Sequence, residues 1–243
     1  MTSPPPPTTL ARGEEAKMTM RRLATVPALL ALFLAAARAG EPQSVEMTTA
    51  DGKRITGVLY GSGKTAVVLC HGRMYLAGAR SFARQCRELS ARGLMCLAMN
   101  FRGYPAARPP DLPGLENDVV AGFDLVVSRG AKRVFVLGSS MGGLAALKAA
   151  ATLGKREEFA GLIVVSAFDT IAIKDVRAPK LLIVAYDDRR IYTKMMAMLF
   201  VAPPPKEAVV FARGGHGQRL FEAHPKNAIE VIHNFIARHA AER

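Results

Sequence analysis

The sequence predicts an α/β fold: a mostly parallel central sheet with helices on both faces and no sizeable cap domain. Three observations lead there. Short apolar runs alternate along the chain with amphipathic stretches of helical period. Most of those runs are apolar throughout, which is how strands buried on both faces read. Only about 15 residues separate the run ending at Val165 from the one beginning at Leu181, too few for an inserted helical cap.

The elements follow in order. Val45 to Thr48 and Ile55 to Tyr60 flank Asp51-Gly52, a turn signal, and predict an antiparallel hairpin at the edge of the sheet. Ala66 to Cys70 is an apolar run, followed by a helical segment with Phe82, Cys86 and Leu89 on one face and Gly93 as its stop. The strand-helix unit then repeats: strand Leu94 to Met99 with helix Glu116 to Ser128, and strand Val134 to Leu137 with the Ala-rich helix Gly142 to Leu153. Strands Leu162 to Val165, Leu181 to Ala185 and Ala208 to Phe211 come next. A final helix carries Ala228, Val231, Ile232, Phe235 and Ile236 on one stripe, with His224 at its start and His233 and His239 within it. Alternation of this kind implies parallel strands joined by crossover helices. No repeat or flexible linker divides the chain, so one domain is expected from about Gly40 to Arg243.

Composition narrows the partners. The chain has 243 residues, half of them hydrophobic, and a formal charge of +13. Residues 1 to 39 hold five Lys/Arg and two Asp/Glu, leaving 28 basic against 18 acidic residues and a charge of +10 on the remainder. The cations are scattered singly or in pairs (Lys132-Arg133, Lys155-Arg156, Arg189-Arg190), without the aromatic interleaving of a nucleic-acid surface, and no nucleic-acid partner is expected. Three cysteines, Cys70, Cys86 and Cys96, lack Cys-x-x-Cys spacing and lie in apolar settings. They read as buried free thiols rather than metal ligands, with one pairing left open in an oxidising compartment.

The N-terminus reads as an address. Met1 to Lys17 is polar and proline-rich, a disordered extension by composition. From Met18, the basic pair Arg21-Arg22 precedes an apolar stretch, Leu23 to Ala36, that ends at Ala37-Arg38-Ala39. That is the layout of a signal peptide over residues 18–39 cleaved after Ala39, with translation starting at Met18 or Met20. A membrane span needs about 20 apolar residues, and this stretch contains Pro27 and stops at Arg38, so no span is expected after cleavage. Export, periplasmic or secreted, is the expectation.

The chemistry centres on Gly138-Ser139-Ser140-Met141-Gly142, which fits Gly-x-Ser-x-Gly with Ser140 in the middle and stands between strand Val134 to Leu137 and the following helix. A sharp strand-to-helix turn presses its central residue toward a strained backbone. Small neighbours at 138 and 142 let the chain close around it. The pentapeptide is short; its position at that junction gives it weight. By contrast, Gly61-Ser62-Gly63-Lys64-Thr65 looks like the end of a phosphate-binding loop, but Val58 stands where that loop needs glycine and a strand follows. No cofactor and no metal are expected.

With these motifs in place, the chain from about Val45 to Ala240 resembles the α/β-hydrolase superfamily in its small, lidless, dienelactone-hydrolase-like or esterase-like form. His71-Gly72 follows the strand Ala66 to Cys70, as a His-Gly pair does in that family. Asn100-Phe101-Arg102-Gly103-Tyr104 is similar to the family's Asp-x-Arg-Gly-x segment, with Asn replacing an Asp of structural role. The resemblance implies a triad in the order Ser, acid, His, with acid and base on loops after late strands. His216, in Arg213-Gly214-Gly215-His216-Gly217, is the implied base. Counting from Pro179 places the acid at Asp188, with Asp187 the alternative. The backbone N–H groups of Met141 and Arg73 are the implied oxyanion donors. His71 is expected to be structural, and the Arg73 side chain is a candidate contact for an anionic substrate.

The activity so implied is cleavage of an ester or thioester in a small acyl substrate, carboxylesterase-like, through an acyl-Ser140 intermediate. Amidase or peptidase action would use the same groups. A catalytically silent binding or scaffold protein on the same fold is the alternative from another class.

Overall fold

In the computed structural model of the protein, which describes residues 41–73, 78–104 and 113–241, the Asp51-Gly52 turn folds β1 (Gln43–Thr48) back onto β2 (Arg54–Tyr60) as an antiparallel hairpin. Buried Val45, Met47 and Ile55 alternate with exposed neighbours, as in an edge hairpin wet on one side. The inner strands are different. β3 (Thr65–Cys70), β4 (Met95–Met99), β5 (Arg133–Ser139), β6 (Phe159–Val165) and β7 (Lys180–Ala185) are buried almost throughout, because helices cover both of their faces. β8 (Lys206–Phe211) closes the far edge and is only half-buried.

The eight strands lie in the order β1-β2-β4-β3-β5-β6-β7-β8. β1 and β2 run antiparallel, β2 meets β4 antiparallel, and every pairing from β4 onward is parallel. Parallel neighbours require crossovers, and the helices supply them. One face of the sheet packs against α2 (Leu115–Ser128), α3 (Met141–Leu153) and α4 (Arg189–Val201) through Phe123, Leu147, Met195 and Met198. The other packs against α1 (Ala83–Ser90), α5 (Arg219–Ala223) and α6 (Asn227–Ala240) through Cys86, Leu89, Phe221, Ile232 and Phe235. Each fully buried Leu, Val or Phe contributes about 1.5–3 kcal/mol, set against the conformational entropy lost on folding.

Several expectations are corrected in detail. β6 begins at Phe159, not Leu162; Gly161 concealed the start, and it is there because a Cβ would meet the Phe135 ring at 2.9 Å. α4 was absent from the sequence-based reading. Its buried side is mainly two methionines, Met195 and Met198, beneath a run of charges and aromatics, too thin a stripe to stand out. His224 does not start the last helix. It ends α5, where its Nε2–H donates to the Arg213 carbonyl at 2.6 Å. Between β6 and β7 the chain makes only a short 3₁₀ turn, Ala172–Asp175, and among the described residues there is no large cap. The segment Gly61 to Lys64 links β2 to β3 and leads into a strand. Cys70, Cys86 and Cys96 are buried free thiols. The signal segment, its Ala39 cleavage site and the boundary at Gly40 lie outside the described residues.

Among the described residues, no helix is long and apolar enough to cross a membrane.

Candidate active site

The strand order changes direction between β3 and β5. The helices that follow these neighbouring strands therefore leave toward opposite faces, opening a crevice at their C-terminal ends. Ser140 stands there, directly after β5 and before α3. Its backbone is in a positive-φ conformation (φ 52°, ψ −115°) rare for a residue with a side chain. Such a conformation costs about 1–3 kcal/mol and persists only where the surroundings enforce it. The Ser140 N–H donates to the Val165 carbonyl at 2.8 Å, and its own carbonyl accepts the Leu144 N–H at 3.1 Å. The flanking glycines are steric necessities: a Cβ on Gly138 would lie 2.3 Å from the Gly142 carbonyl oxygen, and one on Gly142 would lie 2.2 Å from that of Cys70.

His216 arrives from the loop after β8, where Gly215 and Gly217 both take φ 64°, a left-handed turn open to glycine. Ser140 Oγ and His216 Nε2 are 2.8 Å apart, and His216 Nδ1 lies 2.7 Å from Asp188 Oδ2. A carboxylate only accepts, so Nδ1 carries the proton and Nε2 is left to accept the Ser140 hydroxyl. The structure thus brings Ser140, His216 and Asp188 into one chain of hydrogen bonds. The imidazole is 45% exposed and the Asp188 side chain 13%, so the site is open to solvent at the histidine.

Asp187 is not part of that chain. Its carboxylate accepts the Gly215 N–H at 3.0 Å and the Gly214 N–H at 3.2 Å, and these donors hold its pKa below the ordinary carboxylate value. The adjacent aspartates divide the work: one holds the ring of His216 and the other its loop.

Met141 begins α3, so its N–H belongs to the unpaired first turn of a helix and lies beside Ser140. Arg73, exposed, follows β3 on the neighbouring strand. The segment leading to it is tightly fixed. His71 is fully buried, packed edge-on against Phe101 and Tyr104. Its Nδ1–H donates to the Gly72 carbonyl at 2.8 Å, and its Nε2 accepts the Phe101 N–H at 3.3 Å. Burial lowers its pKa to about 4, so the ring is neutral.

Beneath that loop, Arg102 donates from Nε and Nη2 to Asp118 Oδ1 at 2.8 and 2.7 Å, and from Nη1 to Asp51 Oδ2 at 2.6 Å. Its backbone N–H donates to Asp118 Oδ2 at 2.8 Å. The hydrogen bond from Arg102 holds Asp51 well below the usual carboxylate range, whereas burial pushes Asp118 upward against the same guanidinium. This network ties the β1–β2 turn, α2 and the segment after β4 together, and so braces the wall on which His71 packs. Asn100, where the family pattern carries Asp, accepts the Ala79 N–H at 2.7 Å and donates from Nδ2 to Thr56 Oγ1 at 2.9 Å.

Sequence reasoning missed Gln218, whose Oε1 accepts the Gly72 N–H at 2.9 Å. A glutamine two residues past a histidine carries no signal of a partner 146 residues away.

Comparisons with known proteins agree with this architecture. The profile of the family described as Serine aminopeptidase, S33, matches residues 61–232. A mouse (Mus musculus) protein, Serine hydrolase BPHL, is 38% identical over 95 residues, a match that spans 37% of this chain and about a third (32%) of the mouse protein. Among solved structures, a dienelactone hydrolase from Anabaena variabilis superposes with a TM-score of 0.70 at 19% identity, covering 83% of this chain and 99% of that one. An esterase of Pyrococcus furiosus gives 0.65 at 18%, covering 82% and 93%. One from Exiguobacterium antarcticum gives 0.67 at 16%, covering 80% and 100%. With the profile matched from the loop before β3 into α6, the chain belongs to the serine aminopeptidase S33 family of α/β-hydrolases.

Proposed function

We propose that the protein hydrolyses an ester or thioester of a small acyl substrate through an acyl-Ser140 intermediate. The observation that carries this is the chain Ser140 Oγ, His216 Nε2, His216 Nδ1, Asp188 Oδ2, with links of 2.8 and 2.7 Å, mounted on a strained strand-to-helix turn. As Ser140 Oγ attacks the acyl carbon, its proton passes to His216 Nε2, and Asp188 stabilises the imidazolium. The Met141 and Arg73 N–H groups receive the negative charge that develops on the carbonyl oxygen. Collapse of the tetrahedral species transfers the proton to the leaving oxygen or sulfur and leaves the acyl group on Ser140. A water, deprotonated by His216, then releases the acid and restores the serine.

The absence of a large cap and the exposed histidine favour an accessible, shallow site. Tyr186 (49% exposed), directly after β7 and one residue before the Asp187-Asp188 pair, offers apolar surface for an acyl chain. Two of the superposed structures are named as esterases and a third as a dienelactone hydrolase, which supports ester over amide chemistry. A second reading, amide or peptide cleavage, draws on the family's description as serine aminopeptidase. The layout read at residues 18–39 supports an exported enzyme acting outside the cytoplasm, with a mature chain starting at Gly40.

Turnover of p-nitrophenyl acetate and butyrate by wild type and Ser140→Ala tests the proposal, beside an aminoacyl p-nitroanilide for the second reading. Ester hydrolysis that falls at least about 10³-fold in Ser140→Ala is expected. Equal rates in the two proteins would sink the serine mechanism and favour a silent scaffold.

A further inference from the structure

Granting the catalytic reading above, we propose that Gln218 is a positioning residue that locks the oxyanion-donating peptide Gly72–Arg73 to the loop carrying His216. The loop after β3 is irregular backbone, and its orientation rests on what holds its polar groups. Gly72 is held on both sides by side chains. Its carbonyl accepts the His71 Nδ1–H at 2.8 Å and its N–H donates to Gln218 Oε1 at 2.9 Å. The Gly72 carbonyl and the Arg73 N–H belong to one trans peptide unit and point to opposite sides. Pinning the carbonyl against buried His71 therefore turns the Arg73 N–H the other way. Holding the Gly72 N–H fixes the peptide before it, so the donor has little rotational freedom.

The glutamine amide suits this position because it both accepts and donates. The backbone N–H of Gly72 can only donate, which assigns Oε1 to it and directs Nε2 to Ser81 Oγ, the second partner of Gln218. Ser81 in turn donates to the Gly78 carbonyl at 2.7 Å, anchoring the amide to the turn that leads into α1. Gln218 is 8% exposed and lies two residues from His216. Contact on the other side of the loop is close as well. A Cβ on Gly72 would stand 3.3 Å from Gln218 Oε1 and 3.4 Å from Ser140 Cβ, so the loop is wedged between the amide and the nucleophile. A shift of the base loop is thereby passed to the oxyanion donor. The base and the donor keep their spacing around the acyl carbon.

Gln218→Met keeps the length of the side chain and removes both hydrogen bonds. We expect kcat on p-nitrophenyl butyrate to fall about 10- to 100-fold with KM little changed, less than the loss on deleting an oxyanion donor outright. Affinity for a trifluoromethyl ketone analogue of the tetrahedral state should fall in parallel with kcat/KM, a correlation that general loosening of the fold would not produce. The acid limb of the kcat/KM pH profile should not move, because the bonds from His216 to Ser140 and Asp188 are untouched. Gln218→Glu should recover most of the activity, because a carboxylate still accepts the Gly72 N–H. Ser81→Ala, which frees only Nε2, should give a smaller loss in the same parameter. Wild-type kcat in Gln218→Met would overturn the proposal. So would a Gln218→Met protein that fails to fold beside a folded Ser81→Ala enzyme with unchanged kcat and analogue affinity. If wild type itself neither hydrolyses esters nor binds the analogue, it is the catalytic reading that fails.

Discussion

The Asp187 carboxylate accepts the Gly215 N–H at 3.0 Å, one residue before Asp188 takes the proton-bearing Nδ1 of His216 at 2.7 Å. Adjacent residues of one type thus act on the backbone and on the ring of the same loop. Asp188→Asn should lower kcat by about 10³- to 10⁴-fold, because an amide at this position stabilises the wrong tautomer. Asp187→Asn, which keeps an oxygen for one of the two glycine N–H groups, should cost roughly tenfold, as expected for misplacement rather than loss of a participating group. Steady-state kinetics of the two variants checks this, and the reverse order would make Asp187 the acid.

The same donors set a pH dependence for the loop. The folded-state pKa of Asp187 is depressed, so the loop's stabilisation is complete above the unfolded carboxylate value and is lost as pH falls through the lower folded value. Acid titration of the order of the His216 loop, read by amide exchange at Gly214 and Gly215, should therefore show protection retained at mildly acid pH. Asp187→Asn should lower the protection and make what remains of it independent of pH in this range.

His71 gives a second dependence, on global stability. Its folded pKa, about 4, lies below the 6.5 of a free histidine. Above 6.5 the ring is neutral folded or unfolded and contributes no slope. As pH falls from 6.5 toward 4 the unfolded chain takes up the proton first, and stability declines by up to about 3 kcal/mol. Urea unfolding of wild type and His71→Gln between pH 4 and 7 measures this. The wild-type curve should fall more steeply on acidification, and parallel curves would refute the assignment.

Gly142→Ala places a methyl group 2.2 Å from the Cys70 carbonyl oxygen and 2.7 Å from that of His71, both main-chain atoms that cannot rotate away. A loss of at least about 3 kcal/mol is expected, the upper part of the usual range for overpacking. Chemical denaturation gives the stability. Any folded remainder should have a displaced loop after β3 and a reduced kcat.

Asn100→Asp is expected to be nearly silent, within about 1 kcal/mol, because a carboxylate keeps the acceptor for the Ala79 N–H and Thr56 can donate where Asn100 now does. Asn100→Ala removes both partners and should cost more. Thermal melts of the pair test whether the departure from the family pattern is conservative.

How much of this was legible follows from the range of the interactions involved. The buried strands announced themselves because runs such as Val67-Val68-Leu69 admit no polar residue, and Ser140 did so because the turn around it excludes side chains at 138 and 142. The loops after β8 and β7 were readable as places for His216 and for an acid, whereas the choice of Asp188 over Asp187 came only from the family resemblance. α4 was not readable, since only Met195 and Met198 mark its inner side. Nor was the Gln218 contact with Gly72 or the Asp187 contact with Gly215, because each joins residues distant in sequence through one hydrogen bond that leaves no periodic trace. Sequence order carried the layout of the site. The bonds that fix its loops became visible only when the strands were brought side by side.

The proposed mechanism requires Ser140 to be an activated nucleophile. Treatment with a fluorophosphonate probe, followed by peptide mapping of the adduct, tests it most directly. One covalent phosphonyl adduct on Ser140 is expected in wild type, none in Ser140→Ala, and much slower labelling in His216→Ala. A wild-type protein that stays unlabelled, or that is labelled equally fast when Ser140 is replaced, would contradict it.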